Sequence, residues 1–443
     1  MAVIGSGIAG MSAAWLLSQR HRVTLYEATE RPGGHSNTVD APGPDGPVAV
    51  DTGFIVYNER NYPNLVALFD RLGVRTKPSD MSFSVSLDAG GFEYAGTDFW
   101  GMLAQRRNVV RPRFWRMMRD ILRFYRSAPG LLRRPDASTL TLGDVLDEGG
   151  YSETFARDHL LPMGAAIWSA SLDGMRDHPA AAFVGFFENH GLLNLANRPQ
   201  WRTVDGGSRA YVGKITAPYR DRIRLNCGVR AIRRPPGGGR VAIADAQGAE
   251  ADYDEVVVAA HADQALAMLA DADPREREVL GAFRYQTNET VLHGDAALMP
   301  RRRRAWSSWN YIGRTGSDDS RALCVSYWMN RLQSLDDRVP LFVTLNADNL
   351  GLRPRPESVI ATEHYTHPQF TTAAIVAQAR LWDIQGVRNT WFCGSYFGAG
   401  FHEDGLQSGL AVAEAIGGVR RPWTVGNQSG RIPAPPARAE AAE

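Results

Sequence analysis

The chain is 443 residues long, 44% hydrophobic and 22% charged, which excludes a disordered or fibrous protein and is long enough for two domains. Its three cysteines, Cys227, Cys324 and Cys393, are scattered with no CxxC pair, which argues for a reducing compartment and against a disulfide frame or a metal site. The net charge of +1 conceals an asymmetry, because Lys77 and Lys214 are the only lysines and ten arginines crowd into residues 105–134.

A short strand at residues 3–4 runs into Gly5-Ser6-Gly7-Ile8-Ala9-Gly10, then an Ala/Leu-rich helix, then a strand over 22–26 that ends on Glu27 and Ala28. Each part meets a demand of a dinucleotide. Gly5 permits the tight strand-to-helix turn, Gly7 lets the backbone approach a pyrophosphate, and Gly10 lets helix pack close on strand. Free N–H groups from Ser6 to Ala9 and the positive helix end meet the phosphate charge. Glu27, seventeen residues past Gly10, lies where a carboxylate can accept both ribose hydroxyls. No leader is expected, since this unit begins almost at Met1, and no apolar run approaches the roughly 18 residues of a membrane helix.

The nucleotide fold is expected in three pieces, 1–75, 201–265 and 385–423, with residues 252–260 reading as a buried strand. Two aromatic-rich inserts, 76–200 and 266–384, would form a substrate domain. Residues 424–443, rich in Pro, Ala and Glu, are expected to be disordered. The predicted class is α/β with α+β inserts: a discontinuous Rossmann-like domain carrying a mixed substrate domain.

Within the first insert, residues 105–134 hold the ten arginines and one acid, Asp120. Phe114, Trp115, Met117, Met118, Ile121, Leu122, Phe124 and Tyr125 interleave at helical spacing. Such a helix can lie on an anionic bilayer with its apolar face down, or bury that face in the core with arginines in solvent. Both readings stay open. No nucleic-acid module accompanies the charge, so nucleic acid is not expected as a partner. Arg301 to Arg304 read as a solvated loop.

Near the C-terminus a buried strand ending at Gly394 leads through a glycine loop to His402-Glu403-Asp404-Gly405-Leu406. A helix is predicted to begin near Asp404, with Asp404 and Gly405 at N-cap positions and Ser408-Gly409 allowing close packing. A helix start aimed at a ligand would stabilise negative charge on it.

Arg31-Pro32-Gly33-Gly34, just beyond the ribose acid, resembles a loop of the flavin amine oxidase and phytoene desaturase superfamily, where it closes over the pyrophosphate from the other side. The resemblance implies FAD rather than NAD. It also implies noncovalent flavin, because no cysteine stands in the covalent-flavin context of monoamine oxidases. Cofactor contacts are expected at Gly5, Gly7, Gly10 and Glu27, and implied at Arg31, Gly33, Gly34, Thr52, Gly53, Phe54, Gly394, Asp404, Gly405 and Leu406. Val229 joins them because the strand after the insertion usually offers backbone groups to adenine. His35 stands beside the pyrophosphate where relatives often have Arg, and Ser395 where many carry an acid.

Further phrases resemble a narrower group: residues 34–39 (Gly-His-Ser-Asn-Thr-Val), 51–58 (Asp-Thr-Gly-Phe-Ile-Val-Tyr-Asn), 162–169, 306–311, 329–333, 342–346 and 400–405. These are similar to bacterial FAD proteins often labelled amine oxidase and found alongside cyclopropane-fatty-acid-synthase-like methyltransferases. The likeness runs from Met1 to about Trp423. Some members act on methylated unsaturated acyl chains on the way to furan fatty acids. The resemblance therefore implies an acyl-chain dehydrogenase with an acyl lipid as substrate and a methyltransferase as partner. A cytoplasmic location, peripheral on the inner membrane face, is the matching expectation.

Amine oxidases of the superfamily generally keep a lysine that holds water against flavin N5, and neither Lys77 nor Lys214 has a matching context. A mid-chain acyl carbon has no acidic C–H. The expected route is hydride transfer from an allylic carbon to N5, with a proton lost to a base, in a dry tunnel holding carbon about 3–3.5 Å from N5. Trp168, Phe186, Phe187, Trp306, Trp309, Tyr327, Trp328, Tyr396 and Phe397 are candidate tunnel walls. His402 and Glu403 lead the candidate catalytic bases, followed by His293 and Glu289. Two other readings stand beside this one: an oxidase of a small amine, and a flavin-bearing partner that stabilises a methyltransferase without turnover.

Overall fold

The computed structural model describes residues 1–194, 198–315 and 323–433. Its centre is a five-stranded parallel sheet. The spatial order is Ile223–Arg224, Thr24–Tyr26, Ala2–Ile4, Val256–Val258 and Thr390–Phe392. Ala2–Ile4 and Val256–Val258 are buried throughout, which is why they read as unbroken apolar runs rather than alternating ones. Parallel neighbours require crossovers, so the chain leaves the sheet after every strand. Helix Ile8–Leu17 makes the first crossover and packs on helix His402–Ile416. The contact is close: a Cβ at Gly409 would lie 2.2 Å from the Ala9 carbonyl oxygen.

Val229–Arg233 does not continue the parallel sheet but opens a three-stranded antiparallel one with Val241–Asp245 and Glu250–Tyr253. A seven-stranded sheet forms the second large layer. Its order is Val359–Gln369, Arg284–His293, Phe342–Leu345, Val325–Trp328, Trp309–Gly313, Phe83–Leu87 and Phe92–Ala95. Residues of this sheet share one apolar core with helices Pro112–Leu131, Leu161–Trp168 and Ala180–Asn189. Among the described residues no helix is long and apolar enough to cross a membrane.

Three expectations need correction. Strand Thr76–Ser79 pairs with Trp201–Val204, which also pairs with Tyr57–Asn58, so a boundary at residue 76 would cut a sheet. The C-terminal helix begins at His402, two residues earlier than the polar run suggested. Residues 424–433 are anchored at their end rather than disordered throughout, with Thr424, Gly426, Asn427 and Gly430 exposed. Arg431 is drawn in by the buried Asp404 carboxylate, with Nε donating to Oδ1 at 2.6 Å, and Ile432 joins the apolar core. Residues 434–443 lie outside the described residues.

Candidate functional site

One cavity of about 1280 Å³ runs from the tips of the parallel strands to the helical layer. Ligand pockets commonly span roughly 300–1,000 Å³, so this one has room for a cofactor and a second molecule. Gly5, Ser6, Gly7, Ile8, Ala9, Glu27, Ala28, Gly33, Gly34, His35, Thr52, Gly53, Phe54, Val229 and Gly394 all line it.

At the nucleotide end, a Cβ at Gly5 would meet the Ala259 carbonyl oxygen at 2.6 Å, and its φ of +98° is one that L side chains rarely adopt. A Cβ at Gly7 would meet nothing within 4 Å. That opening at a helix start, with free N–H groups, is the cradle a pyrophosphate needs. The second glycine loop closes from the opposite side, since a Cβ at Gly34 would come within 3.1 Å of Gly7 Cα. Glu27 is fixed at the strand tip: Oε2 accepts from Ser6 N at 3.0 Å and Oε1 from Thr29 N at 2.9 Å. Its other two donors are the Ser6 and Thr29 hydroxyls, which can rotate away for a ribose. These features fit FAD.

The middle of the cavity is built by a buried junction. Asp51 accepts from Ser208 N and Oγ, Thr38 Oγ1 and Gln333 Nε2, which fixes the chain into Thr52, Gly53 and Phe54. Burial pushes its carboxyl up to about 6 despite these donors. Phe54 stacks on the His402 ring at 3.7 Å. His402 Nε2 lies 2.7 Å from the Tyr211 hydroxyl, itself 2.5 Å from Ser36 Oγ. Across the cavity His35 lies 5.0 Å from the Tyr365 ring, 5.3 Å from His367 and 6.4 Å from His261. Burial holds these imidazoles neutral: about 4 for His35 and His261, about 3 for His367 and His402.

Several proposed contacts lie elsewhere. Gly10 is a packing glycine, since its Cβ would stand 1.9 Å from the Gly5 carbonyl oxygen. Arg31 stays off the cavity wall and donates from Nη1 to the Gly34 carbonyl at 3.0 Å, bracing the loop. Asp404 turns to Arg431 and caps its own helix by accepting from Phe401 N at 2.7 Å. Gly405 packs on Ile8, and Leu406 is core. Glu403 is no base: Oε1 accepts from Asn64 N and Nδ2, and Oε2 from Leu65 N. It thereby satisfies the first turn of helix Pro63–Leu72. His293 bonds Thr344 within the large sheet, and neither it nor Glu289 lines the cavity.

Beyond the middle, the wall becomes apolar: Met81, Phe83, Met102, Met118, Ile121, Met163, Ile167, Trp168, Phe186, Trp309, Tyr327 and Phe370. Tyr396 also lines the cavity, whereas Phe187, Trp306, Trp328 and Phe397 do not. Among the described residues the carboxylates on the wall are Glu27 at the nucleotide end and Asp98 at the rim; neither lysine and none of the cysteines reaches it. The basic helix buries its main apolar stripe, Phe114, Met117, Ile121 and Phe124, in the core. Among the described residues no His/Cys/Asp/Glu group could hold a metal.

Sequence reasoning missed Ala259, Ala260, His261, Tyr365, Thr366, His367, Gly400 and Phe401 on the wall. Ala259 and Ala260 carried a signal, for they follow the carboxyl end of a central parallel strand, where such sheets bind ligands. The histidines carried none, because residues 35, 261 and 367 meet only through tertiary folding.

The fold and cavity define a dinucleotide-binding oxidoreductase architecture with an apolar second site. The sequence pattern of the flavin containing amine oxidoreductase family matches residues 8–293, and the chain belongs to that family. It is a flavoprotein whose cofactor is FAD. Among solved structures it is similar to a CLA-producing fatty acid isomerase from P. acnes, with a TM-score of 0.65 at 17% identity over 94% of this chain and 97% of that one. Cyclohexylamine oxidase from Brevibacterium oxydans gives a TM-score of 0.65 at 17% identity over 94% and 98%. A putative protoporphyrinogen oxidase from Exiguobacterium gives 0.64 at 15% over 94% and 98%. No curated protein matches by sequence.

Proposed function

We propose that this flavoprotein dehydrogenates unsaturated fatty acyl chains, of the methylated kind suggested by its likeness to methyltransferase-associated FAD proteins. The observation that carries this reading is the apolar channel that continues from the flavin site without a lysine and, among the described residues, with a carboxylate only at its rim. FAD supplies the hydride acceptor. The chain's own part is to orient an allylic carbon, exclude water and hold the ring edge in place. Met118, Ile121 and Met163 grip the chain by apolar contact, and the conformational freedom of the two methionines suits a flexible ligand. Dehydrogenation would release a proton together with the hydride, and His402, neutral, stacked on Phe54 and on the cavity wall, is the unprotonated imidazole offered to take it, with burial lowering its basicity.

Anaerobic mixing with acyl lipids and with small amines, read as loss of the oxidised flavin absorbance, tests the proposal. Bleaching by an unsaturated acyl chain is the expected result. Bleaching by an amine alone would replace the proposal with amine oxidation, and bleaching by neither with a flavin-bearing partner that does not turn over.

A further inference from the structure

The channel mouth carries a cluster of exposed apolar residues. Gly96, Thr97, Asp98, Leu122 and Arg198 line the cavity and are exposed, so they form its rim. Beside it Trp100 is 64% exposed, Val110 81% and Trp115 52%. Helix Pro112–Leu131 already buries a separate stripe in the core, so the outward residues are surplus to packing. Trp115 Nε1 donates to the Val109 carbonyl at 2.8 Å, which joins the helix and the preceding turn into one surface. Trp115, Met118 and Leu122 succeed one another at helical neighbour spacing, and Met118 and Leu122 reach the cavity. An apolar strip therefore leads from the outer surface into the channel. Arg106, Arg107, Arg116, Arg119, Arg123 and Arg126 stand exposed around it, whereas the acid within the helix, Asp120, is buried.

We propose that this face docks on an anionic lipid bilayer, with Trp100, Val110 and Trp115 entering the interface and the arginines on the headgroups. Tryptophan and arginine beside exposed aliphatics match the layered polarity of a membrane surface. A bilayer suits the mouth better than a protein partner, because a lipid can pass from one apolar phase to the other while a protein would seal the opening. Docking stands on this surface alone; only the passage of an acyl chain into the channel rests on the proposed reaction.

The test is cosedimentation of the FAD-loaded full chain with vesicles of phosphatidylcholine alone or mixed with phosphatidylglycerol. Pelleting with the mixed vesicles, reversed by salt, is expected. The Val110→Asp, Trp115→Ser variant should bind about tenfold more weakly with flavin content and Tm unchanged. Arg106→Gln and Arg107→Gln should each lose roughly fivefold. Absence of pelleting with anionic vesicles, or pelleting unaffected by these variants, overturns the proposal. A concentration-dependent dimer abolished by Val110→Asp would also overturn it, assigning the face to a second copy. Docking that persists while acyl lipids fail to bleach the flavin would sink the reaction and leave the surface standing.

Discussion

Two helix starts lie side by side at the cavity, one at Ile8 and the other at His402, with Gly405 against Ile8. Both follow glycine-rich turns, and both carry polar residues suited to a cofactor. At the first, the run from Gly5 to Ala9 stays on the wall: Gly5 N and Ser6 N donate to Tyr26 and Glu27, and the N–H groups that follow open together at the helix end. At the second, His402, Glu403 and Asp404 part company. Successive helical side chains are turned by about 100°, so His402 faces the cavity, Glu403 the start of helix Pro63–Leu72 and Asp404 Arg431. A motif read through backbone groups carries its geometry with it; a cluster of neighbouring side chains on a helix does not converge on one ligand.

The strongest way to break this comparison is to separate the glycines of the first turn. Gly10→Val would drive a side chain into the Gly5 carbonyl, where backbone cannot yield. The expected outcome is loss of folded, yellow protein. Gly7→Ala has open space and an ordinary φ of −63°, so it should fold with unchanged apoprotein Tm yet retain FAD poorly. Flavin absorbance per mole and thermal melts of the apoprotein decide. Equal flavin retention by Gly7→Ala and wild type would remove Gly7 from the pyrophosphate.

The second helix start yields the next effect in size. Glu403→Ala strands the amides of Asn64 and Leu65 and the side-chain amide of Gln407 in a buried place, while Asn64 Nδ2 keeps the Gln428 carbonyl. A stability loss of about 3 kcal/mol follows from groups left unsatisfied. Glu403→Gln should recover part of it. In the fraction that folds and holds FAD, the rate of flavin reduction should be near wild type. A variant with wild-type Tm but no flavin reduction would return Glu403 to catalysis.

The contrast also marks what the amino-acid order could reveal. The opening strand, glycine turn and ribose acid are local, each within reach of the next in sequence, and so were legible together. The buried strand at 256–258 was legible from its β-branched run, but the sharing of Trp201–Val204 between Tyr57–Asn58 and Thr76–Ser79 is long-range and left no periodic trace. The same holds for Arg431, whose polar, proline-flanked surroundings look unstructured until the buried Asp404 is seen to need a cation. In the basic helix the apolar pattern was clear while its direction was not. A stripe wide enough to bury Phe114, Met117, Ile121 and Phe124 leaves Trp115 and Leu122 over, and only packing shows which residues are spare.

The smallest effect concerns histidines, and it compares the cavity with the core. His35, His261, His367 and His402 line the cavity, while His178 and His190 sit in the apolar layer with Nε2 unpaired. Burial holds His178 at about 4 and His190 at about 3, below the ordinary 6.5. Both are thus neutral in the folded chain at pH values where the unfolded chain takes up protons. Their contribution is complete above about pH 6.5 and is lost as pH falls toward the folded values. Each such proton tilts stability by about 1.4 kcal/mol per pH unit in that window. His178 is the cleanest probe, since burial alone sets its value and it packs on the Trp168 ring at 4.7 Å. His178→Phe keeps an aromatic ring there, so urea titrations between pH 7.5 and 5 should show stability falling less steeply than in wild type, by about one proton's slope. An identical slope would mean that His178 is not held neutral by the fold, and that the acid sensitivity belongs to the histidines around the cofactor instead.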